Sequence, residues 1–276
     1  MTALHPNSIK EDIDGLISEL IGKGICDDSN FTAIRQTGNK YDVTFSGSEH
    51  VSIALGDIEY GEIYSELADK RSYNMKLVDG ALLQLMYRIE GGQLLQHRLA
   101  FYPSPNLLSF QDDPDAYMRD ELFIEIVQRR IVPFPLRFDF DAREGVHVDV
   151  VHPKSHLTLG DVKGCRIPVS APLTPRWFIE FILRNFYQTE THDFVSSLPL
   201  HKIHFPATIT GNEMGLMHMV IPYNKMITEM EEYEREVLYP LATEQKEIDF
   251  DDGVKVNYSK FGAAVKKIVG LESTED

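Results

Sequence analysis

Apolar residues recur along this chain with two periods, and the switches between them mark out the elements. Ile9, Ile13, Leu16, Ile17, Leu20 and Ile21 form one stripe at helical spacing. Ser8 and Glu11 have the spacing of a capping box, and Gly22 and Gly24 follow the stripe, so a helix is predicted over 8–21. YDVTF (41–45) and HVSIAL (50–55) alternate or run apolar between glycines and predict a hairpin. Tyr60, Ile63, Tyr64 and Leu67 share one side of a short helix within 58–71. ALLQLMYRI (81–89) and QLLQHRLAFYP (93–103) flank Gly91-Gly92, a tight-turn dipeptide between two long strands.

Further along, residues 113–130 carry acids early and arginines late, the order that a helix dipole favours. FPLRFDFD (134–141) and VHVDVVH (146–152) predict another hairpin, followed by strands HLTLG (156–160) and CRIPV (165–169). LTPRWFIEFILRNFY (173–187) predicts a helix capped by Thr174, with Pro175 in its first turn and Trp177, Phe178, Phe181, Ile182 and Phe186 on its apolar face. From about residue 222 the character changes. A charged helix stops near Pro240, an extended piece turns at Asp252-Gly253, and a last helix runs through Phe261, Val265, Ile268 and Val269. The fold class is α+β: an antiparallel β-sheet with flanking helices over 1–221, and an acidic helical C-terminal tail over 222–276.

Charge narrows the classes of partner. A net charge of −16 over 276 residues disfavours nonspecific nucleic-acid binding, which is driven by counterion release from basic surfaces. It suits a protein that docks on a basic partner. Arg129, Arg130, Arg137, Arg143, Arg166, Arg176 and Arg184 nevertheless fall in one third of the chain, so a local basic patch is compatible with the total. No apolar run approaches the roughly 18 residues of a membrane span, and the N-terminal segment lacks the order of a signal peptide. The two cysteines, Cys26 and Cys165, have no CxxC companion and read as reduced thiols in the cytoplasm.

Candidate chemistry concentrates in RFDFDAREGVHVDVVHPKSHLTLG (137–160). Strand alternation places Arg137, Asp139 and Asp141 opposite Phe138 and Phe140, and His147 and Asp149 opposite Val148 and Val150. A three-residue loop would pair Asp139 with His147 and Arg137 with Asp149. A five-residue loop would pair Asp141 with His147 and set Asp139 beside Asp149. The first arrangement is a set of cross-strand charge pairs that needs no ligand. The second calls for a proton, an arginine or a divalent metal such as Mn²⁺, Fe²⁺ or Zn²⁺. The candidate catalytic set is Asp139, Asp141, His147, Asp149, His152 and His156, with Arg98 and Arg137 as candidate phosphate ligands. An ordinary solvent-facing strand shows the same alternation, so both readings stand. His97, beside Arg98, is a further candidate for this face, whereas His201 and His204 have no acidic companion in sequence. Phosphate-loop, dinucleotide-loop, zincin and serine-hydrolase motifs are missing.

HPKSHLTLG (152–160) followed by CRIPVSAPLTPRWFIEFILRNFY (165–187) resembles the bacterial family of unknown function DUF2290, over roughly residues 8–221. The resemblance implies a bacterial cytoplasmic protein and transfers no catalytic residue. EREVLYPLATEQKEIDFDDGVKVNYSKFGAAVKKIVGL (234–271) is similar to the C-terminal end of the adenine methyltransferases of bacteriophage-exclusion systems. Ile221-Pro222-Tyr223 lacks the rest of the methyltransferase motif, so this second resemblance implies a docking tail in a defence setting without methyl transfer. Two functions follow. One is an accessory or interaction subunit of a phage-defence or toxin-like module that binds a protein partner through 222–276. The other is a metal- or histidine-dependent nuclease or phosphotransfer-type effector built on 137–156.

Overall fold

The computed structural model describes residues 3–46, 59–105, 134–160, 164–189, 192–222, 247–249 and 255–257. The chain divides into two compact units, Met1–Ile221 and Pro222–Asp276. The first is an α+β unit built on a nine-stranded antiparallel sheet. Its strands are β1 (Cys26–Ser29), β2 (Thr32–Thr37), β3 (Lys40–Phe45), β4 (Met75–Leu77), β5 (Leu82–Glu90), β6 (Gln93–Tyr102), β7 (Leu136–Asp141), β8 (Ser155–Leu159) and β9 (Ile167–Pro168). In the second unit, Glu247–Asp249 and Lys255–Asn257 pair antiparallel. The helices expected at 113–130, about Pro240 and through Val269 lie outside the described residues, as does the segment 50–55. Among the described residues no helix is long and apolar enough to cross a membrane.

Helix α1 (Pro6–Gly22) starts two residues earlier than the Ser8 cap predicts. Pro6 brings the φ that a helix start requires and lacks only an N–H that the first turn would leave unbonded, and the His5 ring accepts from Asn7 N at 3.2 Å as the cap. The expected stripe buries Ile9, Ile13, Leu16, Ile17 and Leu20, but Ile21 is exposed and Asp12 is buried in the helix face instead. Strand β3 pairs with β2 around a turn at Gly38 and with β5, two partners that the sequence reading did not assign to it, while its expected partner 50–55 lies outside the described residues.

The β5–β6 hairpin forms as predicted, with Gly91 and Gly92 at φ 59° and 75°, a region where a Cβ would be strained. The outer edge of β5 is shared by β4 at one end and β3 at the other. The fully buried Asn74 fills the gap, donating its N–H to Leu83 O and accepting Leu85 N–H on Oδ1 at 2.6 Å. On the far side the ladder continues through β6, β7, β8 and β9.

Alternation gives the sheet two different faces. Leu83, Leu85, Tyr87, Leu99, Phe101, Phe138 and Phe140 face one way and are buried, the side where α1 and α3 (Pro175–Ile182) pack on each other. Thr174 caps α3 by accepting Trp177 N–H, as the sequence indicates, and the helix continues into a π-helical turn over Leu183–Tyr187. The opposite face is divided. At one end Leu82, Ala100 and Tyr102 are covered by Ile63, Tyr64 and Leu67 of α2 (Tyr60–Asp69). At the other end α2 no longer reaches, and the same strands present Arg88, Gln96, Arg98, Arg137, Asp139 and Asp141.

The expected hairpin between RFDFD and VHVDV does not form, and neither register predicted for it occurs. β7 pairs with β8, which sets Asp139 opposite His156 and Phe138 opposite Leu157. Pro153 has no N–H for a ladder just beyond VHVDVV, whereas SHLTL can bury Leu157 and still carry β9 on its outer edge. Val148, Val150 and Val151 are left exposed in the connecting loop. Val148 and His152 exchange two backbone hydrogen bonds there, and Val150 at the tip takes φ 66°, strained for a β-branched residue.

Candidate anion groove and histidine pair

The uncovered half of the sheet face and the loop after β7 enclose a groove of about 690 Å³. Six arginines (Arg35, Arg88, Arg98, Arg137, Arg143, Arg166) and three aspartates (Asp42, Asp139, Asp141) line it, so its local charge is opposite in sign to that of the chain. Each strand contributes through register. Met86, Arg98, Asp139, His156 and Pro168 form one row across β5 to β9, and Arg88, Gln96 and Asp141 form the next.

Asp139 is the hub. It accepts from Arg137 Nε at 2.5 Å and Arg98 Nε at 3.3 Å. Burial acts to raise its pKa, but the guanidinium charges of Arg137 and Arg98 outweigh that and hold the carboxyl below its usual range. One carboxylate therefore balances two cations, and the half-exposed Arg98 is left with positive charge to offer a ligand. The neighbouring ion pairs are joined through Gln96, which accepts from Arg88 and donates to Asp141. Arg88 binds Asp42 through two hydrogen bonds, and Arg143 binds Asp141, which also accepts from Gln96.

His156 Nδ1 lies 3.0 Å from the Pro153 carbonyl, which can only accept, so Nδ1 carries the proton in the neutral ring. Its Nε2 then presents a lone pair to the groove, 3.9 Å from Asp139, too far for a hydrogen bond. Burial pushes the His156 pKa down against the pull of Asp139. The His152 ring meets the His156 ring edge-on at 5.2 Å, and its pKa is lowered by burial and by Arg166. Both rings are therefore neutral near pH 7, the form in which a histidine can take a proton.

Of the residues expected from sequence, Asp139, Asp141, His152, His156, Arg98 and Arg137 all line this groove. His147 and Asp149 do not. They turn towards α4 (Gly211–Met214), where His147 Nε2 is 3.3 Å from Glu213 Oε1 and Asp149 accepts from Thr210 and Asn212. His97, on the strand beside Arg98, points into the core by alternation. Its Nε2 accepts Leu173 N–H, and burial pushes its pKa down to about 4. His201 does have an acidic companion, contrary to the sequence reading. Glu180 of α3 lies 3.6 Å away, and the contacts of His201, Arg184 and Arg176 hold that carboxyl down to about 2. Arg35, Arg88, Arg143 and Arg166 had no motif to single them out, and Glu213 is far from the hairpin in sequence.

The family model described as "Uncharacterized conserved protein (DUF2290)" matches residues 25–221. The chain belongs to this family. No curated protein and no solved structure matches it. The DUF2290 match takes in every groove residue and also His147, Asp149 and Glu213, and it ends at residue 221, before the C-terminal segment.

Proposed function

We propose that the groove binds a phosphate ester and that His152 and His156 perform acid–base chemistry on it, as in a histidine-dependent nuclease or phosphotransfer effector of the bacterial cytoplasm. The observation that carries this reading is the His156 Nε2 lone pair, fixed by the Pro153 carbonyl and set among Arg98, Arg137 and Arg166. Guanidinium groups hold phosphoryl oxygens through paired N–H donors. His156 Nε2 accepts the proton of the attacking hydroxyl or water as its oxygen bonds to phosphorus; His152, neutral in the free groove, takes up a proton beside the bound phosphate anion and gives it to the leaving oxygen as the bond from phosphorus to that oxygen breaks. A volume of about 690 Å³ suits a nucleotide-sized ligand. The test is incubation of RNA and DNA oligonucleotides with the full chain and with His156→Gln and His152→Gln. Turnover by the wild type that drops at least 100-fold in both variants, with melting temperature held, is the expected result. A wild type that neither turns over nor saturably binds phosphorylated ligands sinks the reading.

A second reading, an accessory subunit of a phage-defence or toxin-like module with a protein partner, is favoured by one surface. Met214, Leu216, Met217 and Val220 are exposed in succession just before residue 222, and Met217 is 92% exposed. Its test is stoichiometric co-purification of one partner from a native host. Met217→Glu and deletion of 222–276 should each weaken it, and a chain that purifies alone argues against the reading.

A further inference from the structure

We propose that His147, Asp149 and Glu213 form a binding site for a divalent transition-metal ion of the Zn²⁺ or Mn²⁺ kind. The three residues come from two places, the loop after β7 and α4, and one ligand atom from each lies within 4.8 Å of the other two. His147 Nε2 points at Glu213 Oε1 across 3.3 Å. The Glu213 side chain is 1% exposed, so its carboxylate is committed to this cluster rather than to solvent. Its other oxygen accepts Thr210 N–H at 3.0 Å, which fixes the plane of the group and leaves Oε1 to face the imidazole. Asp149 is oriented in the same way, by Thr210 Oγ1 on one oxygen and Asn212 Nδ2 on the other. Outer hydrogen bonds of this type hold metal ligands in position, and each carboxylate oxygen keeps a second lone pair for a cation.

The competing arrangement is a clasp that fastens the loop to α4. A clasp is complete with one carboxylate on the imidazole, whereas here two converge on it, one of them buried. Bonds of about 2.1 Å place tetrahedral ligands roughly 3.4 Å apart, so from the present spread of up to 4.8 Å an inward turn of the exposed Asp149 by at most about 1.4 Å closes the set. One imidazole nitrogen with two carboxylate oxygens suits Zn²⁺ or Mn²⁺ better than Ca²⁺, which takes six or more oxygens. Three protein ligands leave room for water or a substrate oxygen. The site uses no residue that lines the groove, and the proposal does not depend on the groove's chemistry.

The experiment is equilibrium dialysis and calorimetry of the chelator-treated full chain with Zn²⁺ and, separately, Mn²⁺, read together with melting temperature. One equivalent bound saturably, with affinity at least tenfold weaker in Asp149→Asn and in Glu213→Gln but unchanged in His152→Gln, is the expected pattern. Glu213→Gln keeps an acceptor for Thr210 N–H, and circular dichroism of the metal-free variants checks that both are folded. Equal affinity in wild type and the two carboxamide variants overturns the site, as does no stoichiometric binding of either ion. Loss of binding in His152→Gln with none in Asp149→Asn overturns it too, by moving the metal to the groove. Oligonucleotide turnover is scored separately, so the two proposals stand or fall independently.

Discussion

Asp139 and His156 face each other across β7 and β8, yet 3.9 Å separates His156 Nε2 from the carboxylate, because the imidazole proton is spent on the Pro153 carbonyl. Asp139 answers to its two arginines instead. Asp139→Asn should therefore move two properties in opposite directions. Losing the charged acceptor of a side chain that is only 15% exposed should lower stability by about 2 kcal/mol. The same change frees both guanidinium groups, so affinity for inorganic pyrophosphate should rise several-fold. Urea melts and calorimetry read the two effects separately.

Arg98→Ala should do the reverse. The side chain is half exposed, so its pair with Asp139 contributes less than about 1 kcal/mol to stability. As the cation not needed to balance Asp139, it should matter to the ligand, with pyrophosphate affinity falling about tenfold, or ~1.4 kcal/mol. The salt dependence of binding should flatten in parallel.

Stability should decline in mild acid because of His97. An unfolded histidine titrates near 6.5, whereas burial holds His97 at about 4 in the fold. As pH falls, the unfolded chain takes up the proton first. Stability is therefore full above about pH 6.5, falls between 6.5 and 4, and loses no more to this group below 4. The total is roughly 3 kcal/mol. His97→Gln retains an acceptor for Leu173 N–H and should flatten the urea midpoint across that window. His152 and His156, also lowered, contribute in the same direction and leave a smaller residual slope.

Phe138 packs edge-on against Phe181 at 5.3 Å and Phe178 at 6.2 Å, and is fully buried between sheet and α3. Phe138→Ala should cost about 3–5 kcal/mol. Because Phe138 sits between Arg137 and Asp139 on β7, loss of pyrophosphate binding should track the unfolded fraction. Loss in protein that is still folded would show that the groove needs this packing.

The legible parts of the fold were those written in local pattern. Gly91-Gly92, the Thr174-Pro175 start of α3 and the period-2 run of Leu136–Asp141 each predicted an element from its own residues. What failed was the choice between neighbours that look alike. VHVDV alternates as well as SHLTL does, and only competition for the β7 edge, settled by Pro153 and by burial of Leu157, decides which one pairs. The candidate site shows the same division. Alternation correctly grouped Arg137, Asp139 and Asp141 on one face, but the expectation that His97 joins Arg98 there fails, because neighbouring residues of a strand point to opposite faces and His97 is buried in the core. Glu213 lies 66 residues from His147, a long-range contact with no periodic signature.

The π-helical turn at Leu183–Tyr187 has a consequence for how this chain tolerates change in length. Each residue of a regular helix rotates its successor by about 100°, and a π turn absorbs roughly one residue without advancing that rotation. Ahead of it, Leu173 is tied to Tyr87 and His97; at its end, the Tyr187 hydroxyl donates to the buried Asp79 at 2.8 Å. Deleting one residue between 183 and 186 would restore an ordinary helix and leave Tyr187 close to its present angle, still able to reach Asp79. Adding one to an ordinary helical turn would instead rotate it by about 100° and part the pair. The segment therefore has a spare residue to lose and none to gain.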